Sequence, residues 1–146
     1  MTRVHHTAIC TTDLETSLAF WRDGLGFEQL MDLPFRGDWP TLFDATGDEL
    51  RAVFLGDPAD RNSGIVELVM FPSGMQPPHD TSAPAQGFLL VSLYLDVEAA
   101  LAKLSDLGLA QDVRRITVHG VTMVTVRDPN GVLVELIDAA AAKQPD

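Results

Sequence analysis

The chain has 146 residues, 46% of them apolar and 21% charged, which is ordinary composition for one globular domain. Ten basic against 21 acidic residues give a net charge of −11, and this balance argues against binding to nucleic acid or to an anionic membrane. A single cysteine, Cys10, excludes an internal disulfide, and no apolar run reaches the roughly 18 residues of a membrane helix. No signal peptide is visible, so we expect a cytoplasmic protein.

The first half of the chain predicts a strand, a helix and three further strands. Residues 3–11 form a short apolar-leaning run, and Thr12-Asp13 supplies a helix N-cap. The apolar positions that follow recur at helical spacing, at Leu14, Leu18, Trp21 and Leu25. Gly24 and Gly26 end this helix. Three strands are predicted after it, at residues 27–35, 49–55 and 63–71.

The same order returns after a stretch rich in proline, serine and glycine, which has the composition of a linker. Residues 88–95 predict a strand, and Asp96 caps a helix that Gly108 ends. A hairpin follows, with strands at 113–118 and 121–126, and residues 131–137 form the last strand.

Three segments of the two halves also match residue by residue and in the same order. Residues 13–19 match 96–102, residues 25–27 match 107–109, and residues 62–69 match 130–137 with one residue of slack. We therefore predict a tandem repeat of strand-helix-strand-strand-strand modules. The first module covers 1–71, the linker 72–86, the second module 87–138 and a tail 139–146.

Each module places one glutamate in its last, apolar strand. Glu67 shares a strand face with Ile65 and Val69, and Glu135 shares one with Leu133 and Ile137. The opposite faces of both strands are wholly apolar and suit packing against a helix. If the two sheets form a curved, half-closed barrel, both glutamates point into its interior, where an isolated carboxylate costs several kcal/mol. A divalent cation that binds both would remove this cost.

The first strand offers a third ligand. His5 and His6 are adjacent, so we expect them to face opposite sides of the strand. We favour His6 as the inward residue, because its face carries the small residues Ala8 and Cys10, whereas His5 shares its face with Ile9.

The run HTAICTTDLETSLAFWRDGLGF at residues 6–27 resembles the opening of vicinal oxygen chelate proteins. That superfamily includes glyoxalases, bleomycin resistance proteins, methylmalonyl-CoA epimerases, fosfomycin-resistance enzymes and extradiol dioxygenases. The run RDPNGVLVEL at residues 127–136 resembles the second signature of the family, Asp-Pro-x-Gly followed by a strand with glutamate. The resemblance implies an α+β fold of two βαβββ modules around one cavity, and a homodimer.

Carried over by position, the resemblance implies a divalent-metal site of His6, Glu67 and Glu135. Zinc, manganese, iron, nickel or cobalt would tolerate such a mixed donor set. A fourth ligand, usually histidine, would lie seven residues before Asp96, where this chain has Leu89. Leucine cannot bind a metal. Glu135, slightly preferred to Glu67, would serve as the general base.

A few other residues are candidates for a substrate pocket. Trp39 and Phe43 lie in a polar connection between strands, and exposed aromatic side chains on loops are typical of ligand contacts. Leu89 and Cys10 lie on strands beside the predicted cavity. Cys10 is otherwise read as a small core residue.

Two functions follow from this reading. The first is a divalent-metal-dependent isomerase or lyase of the glyoxalase type that acts on a small oxygenated substrate. The second is a metal-free protein that binds a small apolar or drug-like molecule, as bleomycin resistance proteins do. The sequence names neither the substrate nor the metal, and it leaves open whether the modules pair within one chain or across a dimer.

Overall fold

The computed structural model describes residues 1–78 and 83–140. No helix in these two ranges is long and apolar enough to cross a membrane. The elements follow in chain order as β1 (His6–Cys10), α1 (Leu14–Leu18), a π-helical segment (Ala19–Gly24), β2 (Glu28–Arg36), α2 (Trp39–Phe43), β3 (Glu49–Gly56), β4 (Ile65–Met70), β5 (Val91–Leu95), α3 (Val97–Asp106), β6 (Gln111–Val118), β7 (Val121–Arg127) and β8 (Leu133–Asp138).

The strands form two four-stranded mixed sheets of the same topology. The first sheet has the order β1-β4-β3-β2 and the second β5-β8-β7-β6. In each sheet the first strand pairs in parallel with the last, and the remaining pairs are antiparallel. The sheets remain separate over the described residues, so the barrel is half open. The predicted α+β fold is confirmed.

Both predicted helix caps are present. The Asp13 carboxylate accepts a hydrogen bond from the Thr16 amide at 3.1 Å, and the Asp96 carboxylate accepts one from the Ala99 amide at 3.0 Å. These contacts satisfy amides that the first turn of a helix leaves without a partner. The first helix continues beyond Leu18 as the π segment, and Gly26 then adopts a left-handed φ of 87°, which glycine allows at little cost.

α1, the π segment and α3 lie between the two sheets and share one core with them. Its fully buried members come from both modules: Phe20, Trp21, Val53, Leu55, Leu68, Leu104, Val124, Val126, Val134 and Leu136. Polar contacts also join the modules, because Trp21 Nε1 donates to Asp128 at 3.1 Å and Asn130 Nδ2 donates to Ser17 Oγ at 3.0 Å. The apolar faces of β4 and β8 pack against helices, as their alternation predicted.

The structure differs from the prediction between β2 and β3. The sequence predicted an irregular polar connection there, and the structure forms the short helix α2 instead. Asp38 caps α2 through a hydrogen bond from the Thr41 amide at 3.2 Å, and Pro40 lies in its first turn. A five-residue helix has too few apolar positions to show a helical period, so the sequence pattern missed it.

Candidate metal and substrate site

Glu67 lies on β4, on the side of the first sheet that the core helices do not cover. We call this side the Glu67 face. Strand pairing places Ala8 of β1, Phe54 of β3 and Met31 of β2 in one row with Glu67 across the sheet. The neighbours of Glu67 along β4, Ile65 and Val69, are buried. The carboxylate therefore lies on an otherwise apolar surface, as the sequence predicted.

His6 is the partner of Glu67. Its Nε2 lies 3.0 Å from Glu67 Oε2, and the two side chains are 39% and 14% exposed. His6 begins β1, next to β4 in the sheet, and its register partner is Ile65, two residues before Glu67 on the same face of β4. The structure thus brings together two of the three predicted ligands, an imidazole nitrogen and a carboxylate oxygen.

The environment of Glu67 opposes its ionisation. Burial raises the pKa of the Glu67 carboxyl, and the neighbouring imidazoles of His6 and His5 lower it only in part. A partly desolvated carboxylate beside an imidazole is a donor pair that suits a divalent cation, since the cation would offset the cost of burying the charge.

The sequence predicted that His5 and His6 face opposite sides of the strand, and the structure instead brings their rings into contact. The Nδ1 atoms of the two rings lie 2.8 Å apart, and the rings meet edge to face. The reason is that β1 begins at His6, so the alternation of a strand does not act on His5. The contact joins His5, His6 and Glu67 in one chain of polar groups.

Glu135 lies at the matching place in the second sheet, on β8. It faces the side away from the core helices, which we call the Glu135 face. Strand pairing sets Ser92 of β5 and Thr125 of β7 beside it. The Ser92 hydroxyl donates to Glu135 Oε1 at 2.7 Å. Glu135 therefore has a neutral hydroxyl as its hydrogen-bond partner, whereas Glu67 has an imidazole.

Glu135 does not join His6 and Glu67 within one chain. Among residues 1–78 and 83–140, no three histidine, cysteine, aspartate or glutamate side chains lie together so that they could hold a metal ion. The helices between the sheets explain this, because they fill the shared core and leave the Glu67 face and the Glu135 face outside it.

The position that matches His6 in the second module is also a leucine. Ser92 pairs with Glu135 as Ala8 pairs with Glu67. Two residues earlier in the chain, Leu90, just before β5, therefore matches His6. The sequence had pointed to Leu89, one residue earlier, because it counted back from the helix caps. The connection from strand to cap is one residue shorter in the second module, four residues from Ser92 to Asp96 against five from Ala8 to Asp13. Leu89 itself precedes β5 and is 53% exposed. Neither leucine supplies a ligand.

The remaining candidates lie on or near the Glu67 face. Cys10 is exposed at the end of β1, where partial burial of the thiol and the Glu67 carboxylate raise its pKa. Trp39 packs against Leu50, Ala52 and Val69 below it. Phe43 stacks on Trp39 with ring centroids 5.6 Å apart and is 54% exposed.

Sequence reasoning missed two contacts of this site. Phe54 places its ring 5.8 Å from that of His6, and Ser92 holds Glu135. Alternation along β3 could have found Phe54, since it shares a face with Leu50 and Ala52. Ser92 depends on the register of β5 against β8, which the sequence does not give.

A groove of about 340 Å³ lies elsewhere, at the junction of the two modules. Phe27, Glu28, Asp57, Leu93 and Tyr94 contribute to its lining. It contains carboxylates without an imidazole, so it lacks the donor set described above.

Comparison with known proteins places this geometry in a family. The family model for the glyoxalase/bleomycin resistance protein/dioxygenase superfamily matches residues 3–136. A lactoylglutathione lyase-like protein of Aspergillus terreus, terB, is 34% identical over 145 residues, which cover 92% of this chain and 74% of that protein. The uncharacterised protein YaeR of Escherichia coli is 30% identical over 137 residues, which cover 93% of this chain and 95% of YaeR.

Solved structures share the fold. A glyoxalase family protein of Bacillus cereus superposes with a TM-score of 0.76 at 19% identity, over 94% of each chain. Glyoxalase I of Leishmania major superposes with a TM-score of 0.69 at 24% identity, over 97% of this chain and 90% of that one. The fold, the two signatures and the matched family model agree, and the chain belongs to the glyoxalase/bleomycin resistance protein/dioxygenase superfamily.

Proposed function

We propose that this protein is an isomerase or lyase of the glyoxalase type that acts on a small oxygenated substrate with a divalent metal ion. The observation that carries the proposal is the His6–Glu67 pair, 3.0 Å apart on an otherwise apolar face. A half-buried imidazole and carboxylate have no need to meet there for stability alone, because apolar residues of similar volume would cost less.

The donor set fits such an ion in part. His6 and Glu67 of one chain would supply one nitrogen and one oxygen ligand, and Glu135 would supply the third. When bound, the ion would polarise two neighbouring oxygens of the substrate as a Lewis acid. Zinc, manganese, iron, nickel or cobalt would suit this donor set.

The protein's own groups would then orient the substrate and move a proton. Glu135 remains the preferred general base. The Ser92 hydroxyl orients the Glu135 carboxylate by a neutral hydrogen bond, whereas the Glu67 carboxylate already contacts the His6 imidazole. The apolar residues around Glu67 would exclude water from the reacting carbon.

We further propose that the complete site needs a second copy of the chain. One chain carries two of the three proposed ligands, His6 and Glu67, on the Glu67 face and the third, Glu135, on the Glu135 face. The Glu135 face also carries exposed apolar side chains, with Tyr94 64% and Ile116 58% exposed. A homodimer that sets the Glu67 face of one copy against the Glu135 face of the other would bury both and bring the three ligands together.

A specific observation also favours the metal-free alternative. His6 and Glu67 satisfy each other without a metal, and leucine stands at the fourth ligand position. In this case the protein would bind a small apolar molecule without transforming it.

Metal analysis separates the two functions. We expect protein purified without chelator to bind close to one divalent ion per site, and Glu67→Gln and Glu135→Gln each to lower the metal affinity by about tenfold to a hundredfold or more. Thr125→Val, which alters a neighbour of Glu135 without removing a ligand, serves as the control. Wild-type protein that stays metal-free after incubation with zinc, manganese, iron, nickel and cobalt would contradict the enzyme proposal and support the binding protein.

A further inference from the structure

The repeat of the two modules gives the molecule two matching junctions between them. At the first, residues 25–28 and the β3–β4 connection of the first module meet the end of β5. At the second, residues 109–111 and the β7–β8 connection of the second module meet residues 12–16. We call these the β5 junction and the β1 junction. Because matching segments build both, a difference between them comes from the sequence at one junction rather than from the shared topology.

The β1 junction is closed by a buried hydrogen-bond network. Trp21 Nε1 donates to Asp128 at 3.1 Å, and Asn130 Nδ2 donates to Ser17 Oγ at 3.0 Å. Ser17 Oγ in turn lies 2.9 Å from Thr11 Oγ1. Thr11, Ser17 and Asp128 are each at most 1% exposed. The network ties the β7–β8 connection of the second module to the first helical stretch of the first module.

The β5 junction lacks the groups for such a network. The match between the two helices places Ala100 where the first module has Ser17, and its continuation places Leu104 where the first module has Trp21. Alanine and leucine have no polar side-chain atom, so α3 offers no hydrogen bond from these two positions. The β3–β4 connection is also longer than the β7–β8 connection. The two modules therefore stay apart at the surface of this junction.

The groove of about 340 Å³ is the space that this separation leaves. Phe27, Leu93 and Leu95 line it and pack against the shared core, so that they form a fixed apolar floor. Gly26 and Gly64 also line it, and a Cβ added at either position would meet no atom within 4 Å. The groove thus combines an ordered apolar floor with open space for a small ligand.

The charge of the groove has one sign. Glu28 and Asp57 line it, and none of its lining residues is a lysine, an arginine or a histidine. Over the two described ranges, neither carboxylate forms an ion pair. The cavity at the β1 junction, of about 250 Å³, contains Arg127 beside Asp13. Only the charge of the β5 junction is complementary to a cation, and the net charge of −11 adds long-range attraction.

We infer that the groove at the β5 junction binds a small organic cation, an ammonium group on an apolar body. The carboxylates of Glu28 and Asp57 attract the ammonium group, and Phe27, Leu93 and Leu95 pack against the apolar body. The missing network supplies the space, and the two carboxylates select the charge. The site is separate from the Glu67 face, and its binding does not depend on the proposed function.

NMR titration of the full-length protein with three naphthalene probes tests the inference. At neutral pH 1-naphthylmethylamine is a cation, 1-naphthalenemethanol is neutral and 1-naphthoate is an anion. A chelator is present throughout, so that no probe binds through a metal ion. We expect the amine to bind at least about tenfold more tightly than the alcohol, and the naphthoate to bind most weakly. The amide resonances of Gly26 and Gly64 should shift, whereas those of Ala8 and Phe54 on the Glu67 face should not.

Carboxylate variants then locate the selection for charge. The double variant Glu28→Gln/Asp57→Asn should lose the preference for the amine over the alcohol and keep the affinity for the alcohol. Asparagine at position 57 still offers an oxygen to the Ala59 amide, which donates to Asp57 at 2.8 Å. Glu15→Gln removes one exposed charge outside the groove and should leave the preference unchanged. An unchanged urea midpoint shows that each variant is folded.

Four results would overturn the inference. Equal affinities for the amine and the alcohol would leave the two carboxylates without a role, and shifts confined to the Glu67 face would place the binding elsewhere. An equal loss of amine affinity in Glu15→Gln would show that the net charge, not the groove, attracts the cation. An affinity that rises as the protein is diluted would mean that a second copy occupies the groove.

Discussion

At the scale of single residues, the site depends on where one carboxylate sits. Glu67 is 14% exposed and its pKa is raised by burial, while His6 contacts it. The sequence identified both residues from strand alternation and from a family signature. It could not give the contact with His5, because that contact arises where the strand begins and alternation no longer applies.

The raised pKa of Glu67 predicts a pH-dependent cost to stability. An acid whose pKa is higher in the folded state binds its proton more tightly when the protein is folded. Its contribution to the free energy of unfolding is therefore fully present below the unfolded pKa and is lost as pH rises through the folded pKa. Glu67→Gln replaces the acid with a neutral amide and so removes this pH-dependent loss of stability. We expect the free energy of unfolding of the variant to rise relative to wild type between pH 4.5, the ordinary value, and neutral pH.

Urea unfolding across this pH range measures the effect. Glu28→Gln removes the same charge at an exposed position and serves as the control. If the free energies of unfolding of Glu67→Gln and wild type differed by the same amount at all pH values, the raised pKa of Glu67 would be contradicted.

At the scale of elements, the helices fix how the two modules meet. Gly24 ends the π segment against α3, and a Cβ at this position would overlap with Leu104 Cδ2. Leu104 is fully buried in the shared core, so a shift of its side chain would disturb its packing. The sequence assigned Gly24 only as a helix end. Its close approach to α3 comes from the packing of one module on the other.

This approach predicts that Gly24→Ala destabilises the protein. Overpacking of a filled core costs about 1–3 kcal/mol. Leu104→Val removes the overlapping methyl group, so the double variant Gly24→Ala/Leu104→Val should lose less stability than the two single variants together. Unfolding by urea provides the four free energies of this cycle, and strictly additive costs would show that the two positions do not touch.

At the scale of the whole molecule, the two sheets face away from each other across a shared helical core. Each carries part of the proposed ligand set, and each leaves apolar side chains exposed, including Phe43 on one side and Tyr94 on the other. A single chain of 15.9 kDa therefore does not bring the three proposed ligands together at one site.

Mixing of two defective chains tests a shared site. His6→Ala and Glu135→Gln each remove one ligand, and in a mixed dimer one site carries both substitutions while the other carries neither. If copies exchange freely, an equimolar mixture should recover about a quarter of the wild-type metal sites. Metal content after exchange provides the readout, and a mixture that binds no more metal than its components would show that two copies do not share a site.

Much of this molecule follows from the sequence itself. Hydrophobic periodicity and helix caps act within a few residues, so they gave the strands, the two long helical stretches and the repeat of the two modules. The apolar surroundings of Glu67 and Glu135 follow from alternation along single strands, which is also local. The family resemblance rests on signatures of this kind and is confirmed by the family model.

Tertiary structure decided which of these groups meet. The register of β5 against β8 placed Ser92 beside Glu135, and the packing of helices between the sheets kept Glu135 away from His6 and Glu67. It also brought α2 against the cluster of Leu50, Ala52 and Val69, so that Trp39 and Phe43 stack on each other beside the Glu67 face. These contacts join residues far apart in the chain, and their geometry depends on the packing of the whole core, which no local pattern encodes.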